Sequence, residues 1–366
     1  MTRIRIPFVV LMIGITSALF ATGVAEPGAT AADPAPAATR TVIDGLGREV
    51  VIPADFTRVV TIPIPFASVF TAIDGTGERI IGMHPASLQA VEESILGTMA
   101  PELLDAETDF ISEGFQVNLE SLLALRPDIV FQWWNQPAEI EKIEAAGIPV
   151  IAVGGGGQDF RSVRDWLILA GNVTGKTERL DSLLTQLAET EAEIARRTAA
   201  IPEDQRVRVL CLHTPPLQAR AYDWIETVGA VNVAVGMPNW ISEIDIEQLY
   251  AWNPQVIVLS NFVDTQPDDL YHNRVANHDF SPIEAVQAGH VYKIPMGAYR
   301  WDPPSQESGL MLWWLAKTFY PDLFADIDLH EKIRDFYNEF YGYAVSESEI
   351  ELILSSPGTA YWRGFR

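Results

Sequence analysis

Two histidines stand in matched positions along this chain: His84 closes the apolar run RIIGM, and His213 closes VRVLCL. An imidazole at the end of a buried run can donate or accept a hydrogen bond, take up a proton or bind a metal. Neither belongs to an HxH or HExxH pattern, so a dedicated zinc site is not indicated. Hydrogen bonding to loop backbone is the competing role of each. Aromatic and cationic residues follow other apolar runs in the same way: Phe66 and Ser68 after RVVTIPIP, Trp133, Trp134 and Asn135 after DIVFQ, Asn261 and Phe262 after VIVLS, and Tyr299, Arg300 and Trp301 after the run ending at Pro295. Trp240 lies in a loop ahead of an amphipathic segment. Indoles can wall a planar or bulky ligand, and a guanidinium set between aromatics suits a carboxylate or oxyanion through paired hydrogen bonds. The competing role of Arg300 is a surface salt bridge to Asp302 or Glu307. Arg220 and Tyr222 in QARAYDW form a weaker second group.

Nothing positively indicates catalysis. GxSxG, CxxC and HExxH are absent, and the run Gly154–Gly157 lacks a phosphate-loop pattern and reads as a permissive turn. An exported α/β enzyme using His84 or His213 as general base is therefore the least supported reading.

Strands and helices alternate around these residues, as expected for parallel strands with crossover helices. In open α/β sheets, ligands bind beyond the carboxyl ends of the strands, where the candidates fall. The stretch TVIDGLGREVVIP predicts a hairpin. NLESLLALRPDIVFQ, from Asn118, returns altered as DIEQLYAWNPQVIVL, from Asp245, with Glu120 and Glu247 in register. One helix-to-strand unit used twice implies two similar α/β lobes. Between them, 176–199 is an uninterrupted helical pattern, about 35 Å long at 1.5 Å per residue, and a natural strut. A further helix is expected near 225–235, and terminal helices near 306–319 and 329–341.

The formal net charge of -24 and the lack of any basic run argue against nucleic acid as partner. Arg3 and Arg5, the apolar stretch from Pro7 to Leu19, and small residues through Ala25 have the layout of a cleaved secretory signal, a retained anchor being the alternative. Cys211 is the sole cysteine, so no internal disulfide forms and no cysteine follows the signal for lipid attachment. A periplasm is the expected compartment. The expected divisions are a signal over 1–25, an Ala/Pro-rich linker over 26–40, lobes over 41–173 and 202–366, and the interlobe helix over 174–201.

DGLGREVVIP before RVV, NLESLLALRPDIVF, AAGIPVIAV, the long mid-chain helix and AVQAGHVYKIP occur in an order that resembles the class III substrate-binding proteins of ABC importers for iron(III)-siderophores, haem and cobalamin. The resemblance implies an α/β fold of two doubly wound lobes bridged by one long rigid helix. It implies a monomer with no intrinsic cofactor that carries an iron(III) chelate to an inner-membrane permease. Some relatives bind molybdate or tungstate, which is the alternative. In that family, acids on the rim of each lobe pair with arginines of the permease; by position these are Glu139 and Glu141 in the first lobe and Asp268 and Asp269 in the second.

Overall fold

The computed structural model describes residues 38–357, apart from 113, 156–158, 238–240, 276 and 303–304. The signal segment and Trp240 lie outside the described residues. No described helix is long and apolar enough to cross a membrane. The predicted hairpin is present as β1 (Thr39–Ile43) running antiparallel to β2 (Glu49–Pro53). The Asp44 carboxylate accepts the Leu46 and Arg48 amides, both at 2.9 Å, and closes the turn.

In the first lobe β3 (Val59–Thr61), β4 (Ile80–Met83), β5 (Ile129–Trp133) and β6 (Val150–Val153) form a parallel sheet in the order β4-β3-β5-β6. The second lobe holds β7 (Arg208–His213), β8 (Gln218–Arg220), β9 (Val231–Asn232), β10 (Ile241–Glu243), β11 (Val256–Leu259) and β12 (Val291–Lys293). Their order is β10-β8-β7-β11-β12, with β9 beside the start of β7. β8 and β10 run antiparallel, a departure from the all-parallel expectation. The helix expected near 225–235 is only Trp224–Thr227. Gly229 ends it at φ 78°, and the β-branched Val231 then pairs with β7. A third terminal helix, Glu347–Ser355, follows the expected two and starts on a capping box of Ser346 and Glu349.

Both copies of the repeated unit fold alike. Asn118 accepts the Ser121 amide and Asp245 the Gln248 amide, which starts the helices Leu119–Leu125 and Ile246–Trp252. Arg126 and Asn253, both left-handed, end them just before the prolines. The strands that follow, β5 and β11, each lie next to the first strand of their own sheet. Glu120 and Glu247 sit in the first turn, where the helix dipole favours an acid.

The strut is the helix Thr177–Thr198, which buries Leu180, Leu183, Leu187 and Ile194. It packs on the helix Phe160–Thr174 of the first lobe and on Ser308–Phe319 of the second. One apolar core runs through both lobes, joining Ile129 and Phe131 to Leu183, Trp314, Val209 and Val258. The opposite faces of the sheets bury Val130 and Val150 in the first lobe, and Leu210, Leu212 and Ile257 in the second, in cores of their own. Sheets covered on both faces require the continuous apolar runs seen in the sequence. A core that crosses the strut packs the two lobes against it.

Candidate functional site

Strand order reverses once in each sheet, between β3 and β5 and between β7 and β11. The crevice outside the carboxyl ends of such strands is where open α/β sheets take ligands. These ends meet across the lobes. Arg300, beyond β12, lies 4.0 Å from Glu93 of the first lobe, and Ser94 Oγ donates to the Ala298 carbonyl at 3.3 Å.

Two guanidiniums share one aromatic ring here. Arg220 and Arg300 lie over Phe262, 5.4 and 5.0 Å from its centroid, and Arg300 also lies 5.7 Å from the Tyr299 ring. Phe262 is 45% exposed, whereas Arg220 is buried and the Arg300 side chain is 13% exposed. Arg220 Nη2 contacts His213 Nδ1 at 2.9 Å, and Arg220 Nη1 donates to the Tyr222 hydroxyl at 3.4 Å. Burial, and then the charges of Arg220 and Lys293, push the His213 pKa down to about 4. A neutral ring that accepts at Nδ1 carries its proton on Nε2, where it is a donor. The arrangement thus combines fixed positive charge, an aromatic surface and a neutral N–H donor, a set that recognises anions.

Buried acids and a lysine hold this cluster in place. Asp302 accepts the Asn261 amide at 3.0 Å, and Asn261 Nδ2 donates to the carbonyls of Ile294 and Pro295 at 2.6 and 2.7 Å. The loops after β11 and β12 are therefore stitched together. Lys293 Nζ donates to the Ser260 and Thr265 carbonyls at 2.8 and 3.0 Å, and burial lowers its pKa to about 8. Glu307 accepts the amides of Ala298 and Tyr299 at 3.0 and 2.8 Å and the Tyr337 hydroxyl. Burial raises the pKa of Asp302 and of Glu307. These two acids serve backbone amides at the base of the Arg300 loop, in contrast to the surface salt bridge considered for Arg300 from sequence.

Of the sequence candidates, His213, Tyr299 and Arg300 come together with Arg220, Tyr222 and Phe262. His84 differs from His213: its Nδ1 accepts the Ala86 amide at 3.0 Å as the cap of the helix Pro85–Glu92, and its ring lies 4.7 Å from that of Phe115. Phe66 and Trp301 are fully buried, and Phe66 packs 4.6 Å from Phe131. Trp133 is half-buried with its ring 5.8 Å from Trp166, and its neighbour Trp134 is exposed. Glu93, Lys293, Asp302 and Glu307 escape sequence reasoning as site residues. Only the proximity of Asp302 and Glu307 to Arg300 in sequence hinted at them.

The four acids singled out from sequence, Glu139, Glu141, Asp268 and Asp269, divide in two. Glu139 accepts the Val117 amide at 2.9 Å and pairs with Lys142 at 3.2 Å, and Asp269 accepts the Gln266 amide at 3.0 Å as part of a capping box. Glu141 is exposed, as is Asp268, which pairs with Arg274 at 2.8 Å. Among the described residues, the group spaced for a metal is His330, Glu347 and Glu351 on the terminal helices; there Arg334 pairs with Glu347 at 2.9 Å.

Residues 111–297, half of the chain, match the family described as periplasmic binding protein. A solved periplasmic solute-binding protein from Veillonella parvula is 31% identical and superposes with a TM-score of 0.82, over 88% of this chain and 99% of that one. The molybdate-binding protein MolA of Haemophilus influenzae is 28% identical over 330 residues, 83% of this chain and 91% of its own. The structure of MolA bound to molybdate superposes with a TM-score of 0.71, over 84% of this chain and 99% of that one. With two doubly wound lobes, a single bridging helix and strand ends that meet at a cleft, the chain belongs to the periplasmic binding protein family, in its class III form.

Proposed function

We propose that this chain is the exported receptor of an ABC importer and that its ligand is a small oxyanion of the molybdate or tungstate type. The observation that carries this is the pair of guanidiniums, Arg220 and Arg300, gathered over Phe262 in the loop that follows β11. His213 Nε2–H adds a neutral donor beside them. A doubly charged tetrahedral anion offers four acceptor oxygens and suits the fork of Arg300, the neutral donor of His213 and the fixed charge of Arg220. The likeness to MolA, whose structure holds molybdate, supports the same reading.

An anionic iron(III) chelate, the ligand class implied by the sequence resemblance, is the second reading. It is favoured by the exposed rings of Trp134 and Phe262, which offer stacking surface that a bare oxyanion does not need. Release of the captured solute to a permease would use exposed acids, for which Glu141, and Asp268 once it gives up Arg274, are better placed than the less exposed Glu139 and Asp269.

Titration of the purified protein with molybdate, tungstate, sulfate and a ferric catecholate, read by tryptophan emission and thermal stability, separates these readings. A ligand at a hundred times its Kd should stabilise the fold by about 2.7 kcal/mol. Stabilisation by molybdate or tungstate is the expected result. A response to the chelate alone supports the second reading, and no response to any of them defeats both.

A further inference from the structure

We propose that Lys293 is a positioning residue for the anion site: its buried ammonium gathers three carbonyls of the loop that follows β11 and so sets where that loop meets Arg220 and Arg300. For its ligand, this inference rests on the oxyanion reading above.

Lys293 ends β12 and is buried. It pairs in register with Leu259, the last residue of β11, and so stands where the chain leaves that strand. Its Nζ donates to the carbonyls of Ser260 and Thr265, at 2.8 and 3.0 Å, and to that of Val263. An ammonium has three N–H donors, and here all three are engaged. Three carbonyl oxygens turned towards one point repel one another unless a cation sits between them. A neutral amine does not replace it, because it has two N–H bonds and sets its lone pair against the third oxygen.

The loop held in this way carries contacts of both arginines. The Phe262 ring lies under Arg220 and Arg300, and the Asn261 carbonyl accepts from Arg300 Nε at 3.4 Å. At the far end of the loop, Thr265 Oγ1 donates to the Thr214 carbonyl at 2.5 Å, one residue beyond His213. Lys293 therefore acts on the ligand through the groups that its loop seats.

Burial lowers the pKa of Lys293 to about 8 from an ordinary 10.5; Asp302, Asp264 and Cys211 oppose the shift, and Arg300 adds to it. His213 also feels the charge of Lys293, but it titrates at about 4 and is silent near pH 8. The clamp is thus whole at pH 7 and loses its third donor as pH rises through 8. Between 8 and 10.5 the unfolded chain binds more protons than the folded one, so the contribution of Lys293 to stability grows with pH there. Affinity and this contribution to stability move in opposite directions, which separates a loosened site from a loosened fold.

Tungstate affinity of the full chain, measured by calorimetry from pH 7 to 9.5, should fall at least fivefold. At pH 8, binding should take up protons, read from titrations in buffers of different ionisation enthalpy. A flat profile or the lack of proton uptake overturns the proposal. Lys293→Arg keeps the charge but not the three convergent donors, and should bind at least fivefold more weakly than wild type at pH 7. Wild-type affinity in that variant would make charge alone sufficient and also overturns the clamp; if the variant does not fold, the wild-type profile decides. If wild type binds neither tungstate nor molybdate at pH 7, the oxyanion reading fails and NMR of the ligand-free protein judges the clamp. The Asn261 and Phe262 amide shifts should then titrate near pH 8, and shifts that stay constant from pH 7 to 9.5 overturn it.

Discussion

Arg220 Nη2 lies 2.9 Å from His213 Nδ1 and holds a permanent donor against it, so the ring accepts there and stays neutral. His213 titrates at about 4 in the folded chain against an ordinary value of 6.5, so between those values the unfolded chain binds more protons. Its contribution to stability is present above pH 6.5 and is lost as pH falls towards 4. Urea melts of wild type and His213→Asn over pH 4 to 7.5 should show a shallower acid loss in the variant. Parallel slopes would remove His213 from the account.

Arg300→Ala should weaken oxyanion binding by roughly 10- to 150-fold, the range for a charged hydrogen bond of about 1.5–3 kcal/mol. Arg220→Ala should weaken it as well and also release His213, whose pKa should then rise. Arg300→Lys keeps the charge but not the fork and should recover only part of the affinity. Calorimetric titration with tungstate checks all three, and full affinity in Arg300→Ala would end the oxyanion reading.

The buried Glu307 sets the shape of the Arg300 loop by pressing against a glycine. A Cβ at Gly297 would lie 1.9 Å from Glu307 Oε1 and 2.2 Å from the Tyr337 hydroxyl. Gly297→Ala is expected to destabilise by about 1–3 kcal/mol, as overpacking does, and to weaken anion binding through Arg300. A variant as stable as wild type in urea would show that the loop gives way easily.

Loss of either repeat cap should cost about 1 kcal/mol. Asn118→Ala and Asp245→Ala lie in different lobes with no shared partner, so their effects should add within about 0.5 kcal/mol. Chemical denaturation of both single variants and the double tests this.

Glu141→Lys and Asp268→Lys reverse charge at exposed positions proposed for docking. Ligand affinity should stay within about twofold, while uptake through the cognate permease falls. Uptake equal to wild type in both would move the docking surface elsewhere.

Local signals carried well into the structure wherever a segment's own chemistry decided its state. The repeated unit is the plainest case: Asn118 and Asp245 start helices, Pro127 and Pro254 follow their ends, and the apolar runs behind become β5 and β11. The strut helix likewise needed only its leucine spacing. Segments whose state depends on a distant strand were not legible. The run around Val231 has helical periodicity in part, yet it pairs with β7, and Gln218–Arg220 becomes a strand only because Ile241–Glu243 and His213 lie beside it.

The order of motifs was enough to point to an α/β fold of two lobes with a bridging helix, because periodicity, caps and turns act over a few residues. Only the tertiary structure decided that His213 rather than His84 joins the arginines, that Asp302 and Glu307 brace backbone instead of Arg300, and that Glu93 faces Arg300 across the lobes. Those relations join residues far apart in the chain. Burial and charge at each site depend on which loops the two sheets bring together, and no local pattern encodes that distance.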